Sequence, residues 1–247
     1  MQAKKVLILG GTRDARQLAF RLIHAGHDVT TSFAGVTEHP VQPEGKVRVG
    51  GFGGAQGLRQ YLQAEKYDVL VDATHPFAAI ISANAAEAAG DVLLLRLERP
   101  AWTARPDDHW INVENIEAAV SALPLKASIM LTIGRKEIEP FIARADLKGV
   151  ARMIEPTTIA LPPSWILILE RPPFTLESEM ALLRDHSITH LVSKNAGGSE
   201  TETKLVAARN LKIPVVMIAR PFKPVVTTYS TVEAINTHIS KLGSKTG

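Results

Sequence analysis

Three stretches of this chain gather residues that suit the holding of anions or the movement of protons. The first is Gly10-Gly11-Thr12-Arg13-Asp14-Ala15, which follows the apolar run Val6-Leu7-Ile8-Leu9. Two glycines let the backbone approach a ligand closely, and the helix N-terminus behind them offers N–H groups to a phosphate. The spacing is a degenerate form of the dinucleotide fingerprint, with Ala15 at the close-packing position. A purely structural turn is the alternative reading. The second stretch is Asp72-Ala73-Thr74-His75-Pro76-Phe77, directly after a strand-like segment. Ligands of open α/β sheets gather at such carboxyl ends, and a histidine there suits proton or hydrogen-bond donation. A capping or packed histidine is the structural alternative. The third is Lys194-Asn195-Ala196-Gly197-Gly198, with Thr201 and Lys204 further on. Successive backbone N–H groups beside two lysines suit a phosphate or a carboxylate. A glycine turn with solvated lysines reads the same composition more simply.

The choice of nucleotide is sharpened at the end of the second strand. Enzymes that use NAD place Asp or Glu there, about 20 residues beyond the glycines, against the ribose hydroxyls. Here the strand ends Thr31-Ser32-Phe33-Ala34-Gly35, and Asp28 stands at its start. Without that carboxylate a 2′-phosphate meets no repulsion, so the sequence favours NADP over NAD. Other machinery is missing. No Tyr is followed four residues later by Lys, which argues against short-chain dehydrogenase chemistry and against a nucleotide-sugar epimerase. The third stretch lacks the GxxxxGK[ST] spacing of a triphosphate loop. His24, His27, His39, His109, His186, His190 and His238 show no metal-ligand spacing with carboxylates, so no metal site is expected.

The elements that must position these loops follow from periodicity. Ala15, Leu18, Ala19, Leu22 and Ile23 recur at helical spacing, and Asp28 to Phe33 reads as a strand, so the chain opens as a βαβ unit. Strands are expected at Val47–Val49, Asp68–Asp72 and Val92–Leu95, with helices near 58–65 and 80–89. Residues 100–109 form an irregular crossing. A second series begins near Ser128, with strands at 128–132, 150–153, 165–169, 190–193 and 215–218. Its helices follow Gly134 and span 176–185 and 202–209. An edge strand near 225–228 and a helix over 232–241 close the chain. The expected fold is α/β, two Rossmann-like halves with mainly parallel sheets and a cleft between them. Residues 1–110 form the dinucleotide-binding half, and 111–247 complete the substrate cleft.

Composition narrows the class. The chain has 247 residues, 45% hydrophobic and 21% charged, which suits a globular protein with a substantial core. It has no cysteine, which excludes disulfides, thiolate metal sites and a cysteine nucleophile. A net charge of +3 and 5% aromatic residues give no basis for nucleic-acid binding. No apolar run reaches the roughly 20 residues that span a bilayer, and the start lacks a signal-peptide layout. A cytoplasmic protein is expected.

Taken together, these segments resemble the precorrin-6A reductase family of cobalamin biosynthesis, including its cobalt-precorrin counterpart. The resemblance runs through nearly the whole chain. It is carried by Ile8-Leu9-Gly10-Gly11-Thr12 with Ala15-Arg16, by Gly50-Gly51-Phe52-Gly53-Gly54, and by Asp72 to Ala78. Further on it includes Arg96-Leu97-Glu98-Arg99-Pro100 with Trp102, Thr132-Ile133-Gly134, Arg171-Pro172-Pro173-Phe174, and Lys194 to Gly198 with Thr201, Lys204 and Ala207-Ala208-Arg209. The resemblance implies NADPH-dependent reduction of one carbon–carbon double bond of a tetrapyrrole, precorrin-6A, to give precorrin-6B. Cobalt-precorrin-6A as substrate and a nonenzymatic NADP-binding sensor are the alternatives. Contact with neighbouring enzymes of the corrin pathway is a further expectation.

On this reading Gly10, Gly11, Thr12, Arg13, Ser32, Gly51, Gly53 and Thr74 bind the cofactor. His75 is the first proton-donor candidate and Lys194 the second, with bulk water a rival to both. Pro76, Phe77, Asn195, Gly197, Gly198, Thr201 and Lys204 contact the substrate. Two departures stand out. The family often carries Arg after the Ala-Gly that closes the second strand, where this chain has Val36, so Arg13, Arg48 or Ser32 must serve the 2′-phosphate. Ala196 stands where the family often has Ser.

Overall fold

The computed structural model describes residues 2–34 and 43–242. They form two units, each a parallel six-stranded sheet between helices. One unit comprises residues 1–100 and 222–247, the other 101–221.

The first sheet contains β1 (Lys5–Leu9), β2 (Asp28–Phe33), β3 (Lys46–Val49), β4 (Val69–Asp72), β5 (Leu93–Leu97) and β12 (Thr227–Tyr229), in the order β12-β5-β4-β1-β2-β3. The helices α1 (Arg13–His24), α2 (Gly54–Glu65), α3 (Ala79–Ala88) and α8 (Val232–Leu242) cover it. Each helix has a physical cause in its sequence. In α1, Ala15, Leu18, Ala19 and Leu22 share the buried face, and the hydroxyl of Thr12 caps the first turn by accepting the Ala15 N–H. That face packs with Val6, Ile8, Val71, Ile235 and Ile239 on one side of the sheet. Leu58 and Leu62 of α2, with Ala85 and Ala88 of α3, pack with Leu7, Leu9 and Leu70 on the other. Strands covered on both faces read as continuous apolar runs, which is how β1 and β4 appear in the sequence.

The second sheet repeats the pattern as β6-β11-β10-β7-β8-β9. Its strands are β6 (Trp110–Val113), β7 (Ser128–Thr132), β8 (Lys148–Met153), β9 (Trp165–Leu169), β10 (His190–Lys194) and β11 (Val215–Ile218). Its helices are α4 (Ile116–Ala122), α5 (Glu139–Ile142), α6 (Leu176–Asp185) and α7 (Thr203–Asn210). Every strand pairing in both sheets is parallel.

Two features differ from the sequence reading. The sequence divides the chain after residue 110, whereas the contacts divide it after Pro100 and again after Pro221. Thr227–Tyr229 pairs with β5 of the first sheet, and Ile235 and Ile239 of α8 join the core under α1. Chain order alone carries no record of this return. Trp110–Val113 and Ile116–Ala122, which the periodicity left unassigned, form β6 and α4. The strand pairs with β11 and leaves Ile111 and Asn112 exposed, so it lacks the apolar signature of the central strands.

A buried histidine follows α1. His27 is 7% exposed, and its Nδ1 accepts the Lys4 N–H at 3.1 Å. Burial first, and the nearby Lys4 charge second, hold its pKa below the usual 6.5. The unfolded chain therefore binds a proton that the fold refuses. Stability should be full above about pH 6.5 and fall as pH drops from there toward the depressed folded value. Urea midpoints on either side of that pH measure the loss. His27→Gln should flatten the slope, and an unchanged slope would exclude His27 as its source.

Candidate functional site

A doubly wound sheet reverses direction between two central strands, and the loops leaving their carboxyl ends flank a natural ligand crevice. In the first unit the reversal lies between β1 and β4. The loops there are Gly10-Gly11-Thr12 and Ala73-Thr74-His75, two of the three stretches singled out by type and spacing. In the second unit it lies between β7 and β10, whose loops begin at Ile133-Gly134 and at Asn195.

Gly10 continues the sheet by donating its N–H to Ser32 O at 2.9 Å. A Cβ on Gly10 would stand 2.7 Å from Thr31 Cγ2, so a side chain there would have to displace Thr31. Gly11 has φ +110, a backbone L-residues rarely adopt, and among the described residues nothing beyond its own chain neighbours lies within 4 Å of where its Cβ would stand. The turn is therefore open above Gly11 and closed beneath Gly10. Thr12 differs from its expected role in one respect. Its hydroxyl donates to Ala73 O at 2.8 Å and accepts the Ala15 N–H at 3.1 Å, tying the two loops together. Only its backbone remains to meet a ligand. Arg13 begins α1 and lines a groove of about 730 Å³ with Arg16, Gln17, Phe20, Arg21, Pro43 and Glu44.

Ser32 is buried near the end of β2 and lies opposite Arg48 in the parallel register with β3. Beyond β3, Gly51 and Gly53 lie in the exposed glycine run that leads into α2, with Gly53 at φ +77. Val36, where the family often has Arg, lies outside the described residues.

Thr74, His75, Pro76 and Phe77 stand above a buried ion pair. Asp72 is 1% exposed and accepts from Arg96 Nε at 3.0 Å and from the Thr74 hydroxyl at 2.6 Å. Burial raises its pKa, but the Thr74 hydrogen bond, the Lys223 charge and Arg96 outweigh that, and the net shift is downward. Arg96 Nη1 also donates to Pro224 O at 2.9 Å, and Lys223 pairs with Glu98 at 2.6 Å. The segment ahead of β12 is thus fastened to the end of β5. His75 is exposed, and its Nδ1 accepts the Phe77 N–H at 3.2 Å. In the neutral ring the proton then resides on Nε2. Pro76 is buried and Phe77 half-buried.

The third stretch is more committed to the fold than its composition suggests. The Asn195 side chain accepts the Trp102 N–H at 2.8 Å and donates to Trp102 O at 3.0 Å, which uses its amide on both sides. Trp102 Nε1 donates to Gly198 O at 3.0 Å. Arg220 donates to Asn195 O and Ala196 O at 2.9 and 3.0 Å. Lys204 is 6% exposed, with its ammonium 5.1 Å from the Trp102 ring centroid, a cation–π placement rather than a solvated one. Lys194 forms a short ion pair with Glu137. Gly197 and Gly198 have φ +69 and +86, and Thr201 is half-buried in a short 3₁₀ turn. The sequence reading missed the parts played by Trp102, Arg220 and Glu137. Only the clustering of Trp102 among irregular, polar residues hinted at the first.

The fold and these loops define a two-unit, doubly wound α/β protein with a glycine turn at the switch point of its first sheet. The family model for precorrin-6x reductase CbiJ/CobK matches residues 5–240. Precorrin-6A reductase of Rhodococcus erythropolis is 45% identical over 98% of each chain. Cobalt-precorrin-6A reductase of Priestia megaterium is 32% identical over 93% of this chain and 96% of its own. The solved structure of CobK precorrin-6A reductase superposes with a TM-score of 0.90 at 40% identity, covering 96% of each chain. The chain belongs to the precorrin-6x reductase family and is an oxidoreductase. Among the described residues no helix is long and apolar enough to cross a membrane, and no group of His, Asp or Glu could hold a metal.

Proposed function

We propose that this protein is a cytoplasmic enzyme that reduces precorrin-6A to precorrin-6B with NADPH as the reductant. The observation that carries the reading is the open Gly11 turn at the β1/β4 switch point, in a chain whose relatives are named for that reduction. The residues present fit the cofactor. Gly10 and Gly11 leave room for a diphosphate, and the first turn of α1 supplies N–H groups that no helix carbonyl can reach. Gly51, Gly53, Ser32 and Arg13 complete the candidate surface, and the backbones of Thr12 and Thr74 contribute although their hydroxyls are engaged. When bound, NADPH supplies a hydride, two electrons and one proton, to one carbon of the double bond.

A second proton must then reach the neighbouring carbon, from a side chain or from water. His75 is the first donor candidate because its ring is exposed at the switch point; the imidazolium is the donating form, and in it Nδ1 releases the Phe77 amide. Lys194 is the second candidate, and its ammonium is engaged by Glu137. Phe77 offers apolar surface to the macrocycle, and the buried Pro76 shapes the loop beneath it. In the second unit Gly197, Gly198 and Thr201 are candidates for holding a carboxylate, whereas Asn195 and Lys204 act by holding that turn.

The test is the loss of reduced-nicotinamide absorbance with purified protein, using metal-free precorrin-6A or its cobalt form, and NADPH or NADH. Oxidation of NADPH with the metal-free substrate is expected, with little from NADH. Turnover of the cobalt form alone would reassign the substrate. Binding of NADPH without turnover of either would leave the protein a sensor.

A further inference from the structure

Arg48 is arranged as a binding group rather than as a structural ion-pair partner. It stands on β3 opposite Ser32, where β2 carries no carboxylate. Its Nη1 donates to Gly50 O at 2.5 Å and lies 3.4 Å from Ser32 Oγ, and its Nη2 donates to Gly51 O at 2.9 Å. The guanidinium carbon is 3.8 Å from the Phe52 ring centroid and 5.1 Å from that of Tyr61. A half-buried cation is thus fixed in one orientation by two carbonyls and two aromatic faces. Among the described residues it has no carboxylate partner. A guanidinium has five donors, and among the described residues the bonds above leave the Nε and one Nη2 hydrogen without an acceptor.

From this geometry we propose that Arg48, with the Ser32 hydroxyl beside it, binds the 2′-phosphate of NADP(H) and sets the preference for NADP over NAD. The inference rests on the NADPH reading above and extends it to one residue. In a Rossmann-like sheet the adenosine ribose lies at the carboxyl end of the strand that follows the glycine-turn helix, here β2. Arg48 stands at that end on the neighbouring strand. Its fork suits the planar, multiply accepting face of a phosphate. The positive charge is already oriented, so little side-chain freedom is lost on binding.

Calorimetric titration of the protein with NADP+ and with NAD+ tests this without any tetrapyrrole. Arg48→Met should raise the Kd for NADP+ about 10–100-fold and change that for NAD+ by less than about threefold. Equal losses for both would mean that Arg48 only shapes the Gly50-Gly51 turn, and unchanged values would mean that it plays no part. Either result overturns the proposal while leaving the reductase reading intact. If Arg48→Met does not fold, Ser32→Asp decides. Its carboxylate should pair with Arg48, weaken NADP+ binding at least about tenfold, and retain NAD+ binding. An unaltered preference would overturn the assignment. Wild-type protein that binds neither dinucleotide would sink both this proposal and the NADPH reading; equal binding of the two would sink only this one.

Discussion

Replacing Asp72 with alanine is expected to destabilise the protein by about 3–5 kcal/mol, the usual cost of leaving one member of a buried ion pair alone. Asp72 is 1% exposed and Arg96 6%, so water cannot take over the guanidinium. Arg96 Nη2 is already buried without a hydrogen-bond partner, and the loss of Asp72 would strip Nε as well. The damage should extend beyond the pair. Arg96 Nη1 holds Pro224 O, so a displaced arginine also loosens the segment that delivers β12 and α8 to the first sheet. Urea unfolding measures the loss. The double variant Asp72→Leu with Arg96→Met should recover much of it, because two apolar residues leave no charge to satisfy. A single-variant cost below about 1 kcal/mol would show the pair to be solvated. The carboxylate's contribution is present above its unfolded pKa of 3.8 and lost as pH falls through the lower folded value.

His75→Ala is expected to lower kcat at least about 100-fold, the lower range for a general acid, with the Kd for NADP+ nearly unchanged. The reason is local. The ring is exposed at the switch point and held through Nδ1 by the Phe77 amide, so its removal takes away a proton donor without opening the core. His75→Gln separates the two roles. Glutamine can still accept an amide hydrogen bond, yet it cannot give up a proton, so kcat should stay low while KM stays near wild type. Full turnover of His75→Ala with an unaltered pH profile would show that bulk water protonates the ring carbon instead.

Local chemistry in the sequence was enough to place most elements and all three loops. Apolar spacing in α1, uninterrupted apolar runs in β1 and β4, and glycines at turns are short-range signals, and each survives folding because neighbours in sequence remain neighbours in space. The family is legible for the same reason: its motifs are short segments in a fixed order. The Rossmann-like halves follow from the alternation of strand and helix. The absence of a carboxylate at the end of β2 was legible too, since it needed only the strand's last residues.

What tertiary structure alone decided lies at long range. The return of residues 222–242 to the first sheet depends on Arg96 meeting Pro224, 128 residues apart, and on Glu98 meeting Lys223, 125 apart. The fate of polar side chains was equally hidden. Thr12, Asn195 and Lys204 have the composition of ligand-binding residues, but Thr12 binds Ala73, Asn195 binds Trp102, and Lys204 stacks near the same tryptophan. A hydroxyl, an amide or an ammonium carries the same chemistry whether it faces a ligand or its own chain. Sequence determines which groups can bind, and the fold determines which of them its own buried polar demands have already engaged.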